Sequence, residues 1–412
     1  MKSLEITAPV GSYESLSAAI HAGAGSVYFG VGEMNMRSRS SINFNLRDLV
    51  KISRICKRNN VHMYLTVNTV IYDRELKEMQ RIVNSAKKNG IDAIIASDQA
   101  VIQYAHSIGM TVHMSTQANI SNLAAVKYWS QFADVMVTAR ELSLEQVKSI
   151  TRGIKRQKIT GPSGKLIRIE VFAHGALCMA ISGKCYLSLD EFNASANRGA
   201  CFQVCRRPYR VTDFEGEVEL VVDNEYIMSP KDLCTIGFLD KIADAGISIL
   251  KIEGRGRSPE YVKTVVECYR EALDSLSGGS YSPEKVSEWM KRLSTVYNRG
   301  FWDGYYLGRK TGEWAHQHGS VATRKKEYIG KVINYFSRLK VIEVKMESGT
   351  LSPGDRIYIQ GPTTGVIEMI VPEIRVALEK VDKTRKGEVC SIPVGTLMRR
   401  RDKIYMIIDE NI

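Results

Sequence analysis

Residues 61–96 read VHMYLTVNTVIYDRELKEMQRIVNSAKKNGIDAIIA. Val61–Val67 is a β-branched and aromatic run that stops at the polar Asn68. From Leu76 onward apolar side chains return at three- and four-residue spacing through Met79, Ile82, Val83 and Ala86, the period of one helical face. Gly90 closes that helix, and Ala93–Ala96 starts the next apolar run. The segment is therefore one strand–helix–strand unit of a parallel sheet.

The same alternation fills the chain from its start to about residue 275. Candidate strands are Leu4–Ala8, Ser26–Phe29, Val61–Val67, Ala93–Ala96, Thr111–Ser115, Asp134–Thr138, Ile167–Ala173 and Ser248–Ile252. Eight such runs predict an α/β fold, a TIM-like (β/α)8 barrel. Helix punctuation agrees: Ser143 with Gln146 forms a capping-box pattern, and Ser258-Pro259 puts a cap before a first-turn proline. Gly23, Gly109 and Gly246 close further helices or their loops.

After the seventh run the regular spacing breaks for about 65 residues, longer than a structural loop requires. The expected organisation is a barrel over residues 1–276 with a Cys-rich insertion at 175–236, then a helical and aromatic linker over 277–325. Ser282-Pro283 opens a short helix in that linker, and YNRGFWDGYYLGR follows at Tyr297 to Arg309. From residue 326 to 412 the period becomes two, as in LKVIEVKM at Leu339 to Met346. This predicts a small all-β barrel, which resembles domain two of elongation factor Tu in length and turn pattern.

At 412 residues with 44% apolar and 25% charged residues, the chain has enough apolar content for a full core. Its start, MKSLEITAPVGSYES, lacks a basic segment followed by an apolar one, and no later stretch approaches a membrane-spanning length. The expectation is a cytoplasmic protein with no membrane segment. A net charge of +12 suits an RNA partner, and suits a solvated cationic enzyme surface equally.

Eight cysteines in a chain of this length do not make a disulfide framework. Cys178, Cys185, Cys201, Cys205 and Cys234 fall within the insertion, whereas Cys56, Cys268 and Cys390 sit in helix or strand patterns as small core residues. A local group of thiols suggests a soft cation, because a buried thiolate needs compensation. Zinc ribbons present two close CxxC-type pairs, and only Cys201 and Cys205 approach that spacing. An iron–sulfur cluster, zinc and unligated redox thiols all remain open on spacing alone.

In a parallel barrel, reactive groups collect where strands end. The strand-end residues here are Ser12, Asn35, Arg37, Asn68, Ser115, Gln117, Asn119, Arg140, Glu141, His174, Glu253 and Arg255. Together they predict a rim pocket for an anionic, hydrogen-bonding ligand. His174, Glu253 and Asn119 are the catalytic candidates; Gln117, Asn119, Arg140, Arg255 and Arg257 are the substrate-binding ones. Any one of them taken singly also reads as a cap or a loop-stabilising residue.

EVFAHGALCMAISGKCYLS at Glu170 to Ser188 resembles the signature of the collagenase-like unassigned-peptidase family. The likeness extends through ITAPVGSYESLSAAIHAGAGSVYFG, STQANISN, ARELSLEQ, NRGACFQVCRRPY, SPKDLC and KIEGR, over residues 4 to 310. Members that modify RNA, or hydroxylate ubiquinone precursors without oxygen, carry a four-iron (4Fe-4S) cluster on four cysteines. The resemblance implies Cys178, Cys185, Cys201 and Cys234 as those ligands, with Cys205 as a fifth candidate. The branch closest in layout implies hydroxylation of tRNA wobble uridine to 5-hydroxyuridine with prephenate as oxygen source, and a partner chain of the same family is a further expectation. Arg140, Arg255 or Arg257 would then pair with that small dicarboxylate.

The family's older name implies proteolysis as the alternative. The sequence has no HExxH helix and no GxSxG elbow to serve it. A third reading is an RNA-binding protein whose metal is structural.

Overall fold

The computed structural model describes residues 4–39, 43–210, 226–308 and 312–410. Among them, eight parallel strands close a barrel: β1 (Glu5–Pro9), β2 (Ser26–Gly30), β3 (His62–Val67), β4 (Ala93–Ala96), β5 (Val112–Met114), β6 (Val135–Val137), β7 (Arg168–Ala176) and, after β8 (Asp232–Cys234), β9 (Ile249–Ile252). Closure is made by β9, which pairs in parallel with both β1 and β7. The eight expected runs are these eight strands, with ends displaced by at most three residues.

Each barrel strand is buried along nearly its whole length, as parallel strands covered by helices require. The helices present the faces read from the sequence: Met79, Ile82, Val83 and Ala86 of Leu76–Lys88 are buried. In helix Leu144–Gln157 the capping box forms, with Ser143 Oγ accepting from the Gln146 N–H and Gln146 Oε1 from the Ser143 N–H at 2.8 Å. Replacing Ser143 by alanine is expected to cost about 1 kcal/mol, read from the urea midpoint of the full chain; an unchanged midpoint would remove that role.

Two features were not legible in advance. β7 runs past the barrel wall, and β8 pairs with it antiparallel through His174↔Cys234 and Ala176↔Asp232. The aromatic stretch is part of the same sheet: β10 (Phe301–Trp302) pairs with β8, and the buried Tyr306 hydroxyl donates to the Phe172 carbonyl at 2.8 Å. Helix Pro283–Ser294 precedes it, capped by Ser282 as its sequence implies. Part of the 175–236 insertion, residues 211–225, lies outside the described residues.

The C-terminal part is one antiparallel sheet of eight strands between Arg324 and Asp409, with its own core of Val332, Ile342, Val344, Ile357, Ile392 and Ile404. Among the described residues its strand order is linear, where the sequence suggested a barrel. It docks on the first and last barrel helices: Ala18 packs with Tyr358, Val366 and Ile407, and Glu260 accepts from Lys326 Nζ at 2.7 Å and Gln360 Nε2 at 2.8 Å.

Candidate active site

The C-terminal ends of the barrel strands open into a pocket of about 160 Å³. Its floor holds charge where neighbouring strand positions are apolar. Lys251 on β9 and Glu170 on β7 point inward and form a buried ion pair at 2.7 Å. Lys251 Nζ also lies 4.7 Å from the centre of the Tyr28 ring, and the Glu170 Oε2 has no hydrogen-bond partner among the described residues.

Above this floor, Arg37 binds Glu253 through Nε and Nη2, at 3.2 and 2.8 Å to one carboxylate oxygen. Tyr28 donates to the backbone oxygen of Ile252 at 2.9 Å and lies 3.3 Å from the other Glu253 oxygen. Burial would raise the Glu253 pKa, but Arg37, Arg140 and Arg255 overcome it and hold the carboxyl down at about 2. Burial lowers Arg255 to about 10, and it spends its donors on Asn35 Oδ1 (2.9 Å) and Thr66 Oγ1 (2.8 Å). Gln117 is fixed by Asn68 and Ser115, at 2.9 and 3.1 Å to its side-chain oxygen.

Arg140 differs from these. Its guanidinium stacks 4.0 Å from the Phe172 ring, and its buried Nε has no hydrogen-bond partner among the described residues. It borders both the main pocket and an adjoining recess of about 130 Å³ that also holds Arg206, Arg257 and Arg299. Arg257 lies against the Tyr297 ring at 3.5 Å.

The insertion roofs the pocket because its backbone fits closely against the rim. Gly199, at φ +83°, lies where a Cβ would sit 2.1 Å from Ser38 Oγ, so a side chain is excluded. The Arg39 N–H donates to the Gly199 carbonyl and the Val70 N–H to the Asn197 carbonyl. Arg206 ties the far side down through the Pro230 carbonyl at 2.7 Å.

This placement brings Cys178, Cys185, Cys201 and Cys205 to line one pocket. Burial pushes the thiols of Cys185 and Cys205 up, and the other pocket cysteines push in the same direction. Four thiols around a shared space, with arginines beside them, are a donor set that fits an iron–sulfur cluster. No three His, Cys, Asp or Glu side chains among the described residues are gathered so as to hold a single metal ion.

Several expected site residues lie elsewhere. Cys234 is buried in β8, with its thiol 3.7 Å from Met290 Sδ and 3.9 Å from the Tyr269 hydroxyl, and burial raises it to about 11. His174 packs among Tyr261, Tyr269 and Phe301, and burial lowers it to about 3. Asn119 is a left-handed turn residue whose amide donates to the Gln117 carbonyl at 3.3 Å. None of the three lines the pocket or the recess. The buried Lys251–Glu170 pair was not singled out from the sequence, where each charged residue is flanked by apolar neighbours in its strand.

Among the described residues no helix is long and apolar enough to cross a membrane. The chain is 58% identical over 401 residues to a Porphyromonas gingivalis protein named collagenase, covering 97% of each. It is 30% identical to tRNA hydroxylation protein P1 of Bacillus subtilis, over 88% of this chain and 84% of that one. Over 66% of this chain and 40% of the other, it is 33% identical to a 23S rRNA 5-hydroxycytidine synthase of Escherichia coli. The model of peptidase family U32 matches residues 11–316, which hold barrel strands β2 to β9, the inserted roof and every pocket residue described above, and the chain belongs to that family.

Proposed function

We propose that this chain hydroxylates RNA, converting the C5–H of a pyrimidine, by preference uridine in tRNA, to C5–OH. The observation that carries the reading is that Cys178, Cys185, Cys201 and Cys205 all line one arginine-rich pocket at the barrel mouth. Relatives named for tRNA hydroxylation and rRNA 5-hydroxycytidine synthesis support it. With a hydroxyl-bearing dicarboxylate such as prephenate as donor, base–H and R–OH become base–OH and R–H, so the base is oxidised and the donor reduced by two electrons.

The four pocket cysteines would hold a 4Fe-4S cluster, which supplies redox and Lewis-acid chemistry when bound. This chain's own residues do the positioning. Arg140, whose buried Nε has no hydrogen-bond partner among the described residues, and Arg257 in the adjoining recess would take the donor's carboxylates. Arg255 is already committed to Asn35 and Thr66, and so shapes the wall. Replacing Arg140 by methionine is expected to raise KM for prephenate about tenfold to a hundredfold with kcat little changed, the effect of one lost charge-assisted bond. A changed kcat at constant KM would place Arg140 elsewhere in the reaction.

The reading is tested by purifying the chain without oxygen, measuring iron, sulfide and visible absorption, and digesting RNA incubated with prephenate for nucleoside mass spectrometry. New 5-hydroxypyrimidine that depends on the cluster supports it; a loaded protein that leaves every nucleoside unchanged sinks it.

Proteolysis is the second reading, favoured by the 58% identity to a protein named collagenase. The geometry gives it little: the thiols of Cys185 and Cys205 are pushed up where a nucleophile needs to be lowered, and His174 does not reach the pocket. Gelatin cleavage by cluster-free protein, abolished by Cys178→Ala or Cys185→Ala, would support it.

A further inference from the structure

Beside the thiol pocket runs a second and larger concavity, a groove of about 1190 Å³ formed by the loops after β2 and β3 and by the insertion. The inserted helix Leu187–Phe192 is the wall between the two: Leu187 and Ser188 line the pocket, and Leu189 lines the groove. The backbone bonds from Arg39 to Gly199 and from Val70 to Asn197 stitch this wall to the barrel rim.

Five arginines and three glutamates line the groove. Two of the acids are engaged, Glu75 by Arg198 and Glu78 by Arg81, the latter through two bonds of 2.6 Å. Arg39, Arg47 and Arg74 are exposed and make no ion pair among the described residues. Tyr72 lines the same groove and is 48% exposed. The Arg198 guanidinium, held by Glu75 and by the Val70 carbonyl at 2.8 Å, braces the ring at 4.1 Å; Arg74 is looser, at 6.0 Å.

We infer that this groove is the track on which single-stranded RNA approaches the thiol pocket, with Arg39, Arg47 and Arg74 on phosphates and Tyr72 as a stacking surface for a base. A braced ring flanked by unpaired guanidinium groups is the combination that single strands use: charge that follows the backbone, and a flat face that any base can stack on. Arg74, displaced from the ring by a base, is freed for a phosphate. An acidic polypeptide would use the charges and leave the ring face idle. The inference rests on the RNA reading of the neighbouring pocket.

The test is fluorescence anisotropy of the full chain with a labelled oligouridylate over a series of salt concentrations, with no donor present. Removing three phosphate contacts in Arg39→Ala/Arg47→Ala/Arg74→Ala is expected to flatten the slope of log K against log salt by about 2. Tyr72→Ala is expected to weaken binding about tenfold, and Tyr72→Phe to leave it unchanged. Removing the same number of charges at Lys383, Arg385 and Lys386, on the C-terminal sheet, is expected to do much less. Equal losses from both triple variants, unchanged binding in the groove variants, or competition by polyglutamate as strong as by unlabelled RNA would each overturn the groove. Because binding is read without turnover, groove variants that bind normally in a protein that still hydroxylates RNA defeat this inference alone. Groove-dependent binding with no modified nucleoside defeats the hydroxylation reading alone.

Discussion

Alanine at Cys178, Cys185 or Cys201 is expected to abolish the visible absorption and bound iron of the anaerobic protein and to reduce hydroxylation to background. A cluster takes its protein ligands as thiolates, and a missing one leaves an open iron in a pocket that admits water. These three positions are shared by the family pattern and by the pocket geometry. The fourth separates the two. Family resemblance puts it at Cys234, whereas Cys205 is the cysteine that lines the pocket with the other three. Cys234 is sequestered between Met290 and Tyr269, with its thiol raised to about 11. Cys205→Ala is therefore expected to lose the cluster, and Cys234→Ala to keep it while losing some stability through the vacated core site. The reverse outcome would mean that β8 and its neighbours rearrange when the cluster binds, and would withdraw Cys205 from the ligand set. Full cluster in all five variants would mean that these thiols do not hold it.

The contrast between Cys205 and Cys234 shows where sequence legibility stopped. The barrel was readable because each strand–helix unit is local: period, caps and closing glycines lie within about thirty residues of one another. The rim was partly readable for the same reason, since strand-end residues must share one face, and Arg37, Gln117, Arg140, Glu253 and Arg255 do meet there. His174 escaped the rule because β7 does not end at the barrel wall; it continues into an antiparallel pairing with β8, which turns His174 into a packed layer of aromatics. That pairing joins residues far apart in the chain and has no periodic signature. Lys251 and Glu170 were hidden by the opposite problem. Each is flanked by apolar neighbours in its own strand, and only barrel closure, which sets β9 beside β7, makes them partners.

Glu253→Gln is expected to destabilise the barrel by about 1.5–3 kcal/mol at pH 7, the range for hydrogen bonds to a charged group, because the Arg37–Glu253 pair is only partly buried. Glutamine keeps the size but not the charge, removing the carboxylate that Arg37 binds and the negative field beside Arg140 and Arg255. The pH dependence fixes the cause. The Glu253 carboxyl is held at about 2 in the folded chain against 4.5 as the ordinary value. A lowered folded pKa contributes stability that is fully present above the unfolded pKa and disappears as pH falls through the folded one. At roughly 1.4 kcal/mol per pKa unit this amounts to about 3 kcal/mol, the upper end of that range. The gap between wild type and Glu253→Gln should therefore stay constant from pH 8 to pH 6 and narrow from about pH 4.5 towards pH 2. Urea titrations followed by tryptophan fluorescence measure it cleanly, because Trp129, Trp289, Trp302 and Trp314 all precede the C-terminal sheet. A gap below 1 kcal/mol at pH 7, or one that ignores pH, would show that Arg37 finds another partner. The same low pKa decides the chemistry open to Glu253. At neutral pH it holds no proton to donate, so it acts by fixing Arg37, and proton delivery in the pocket must come from another group.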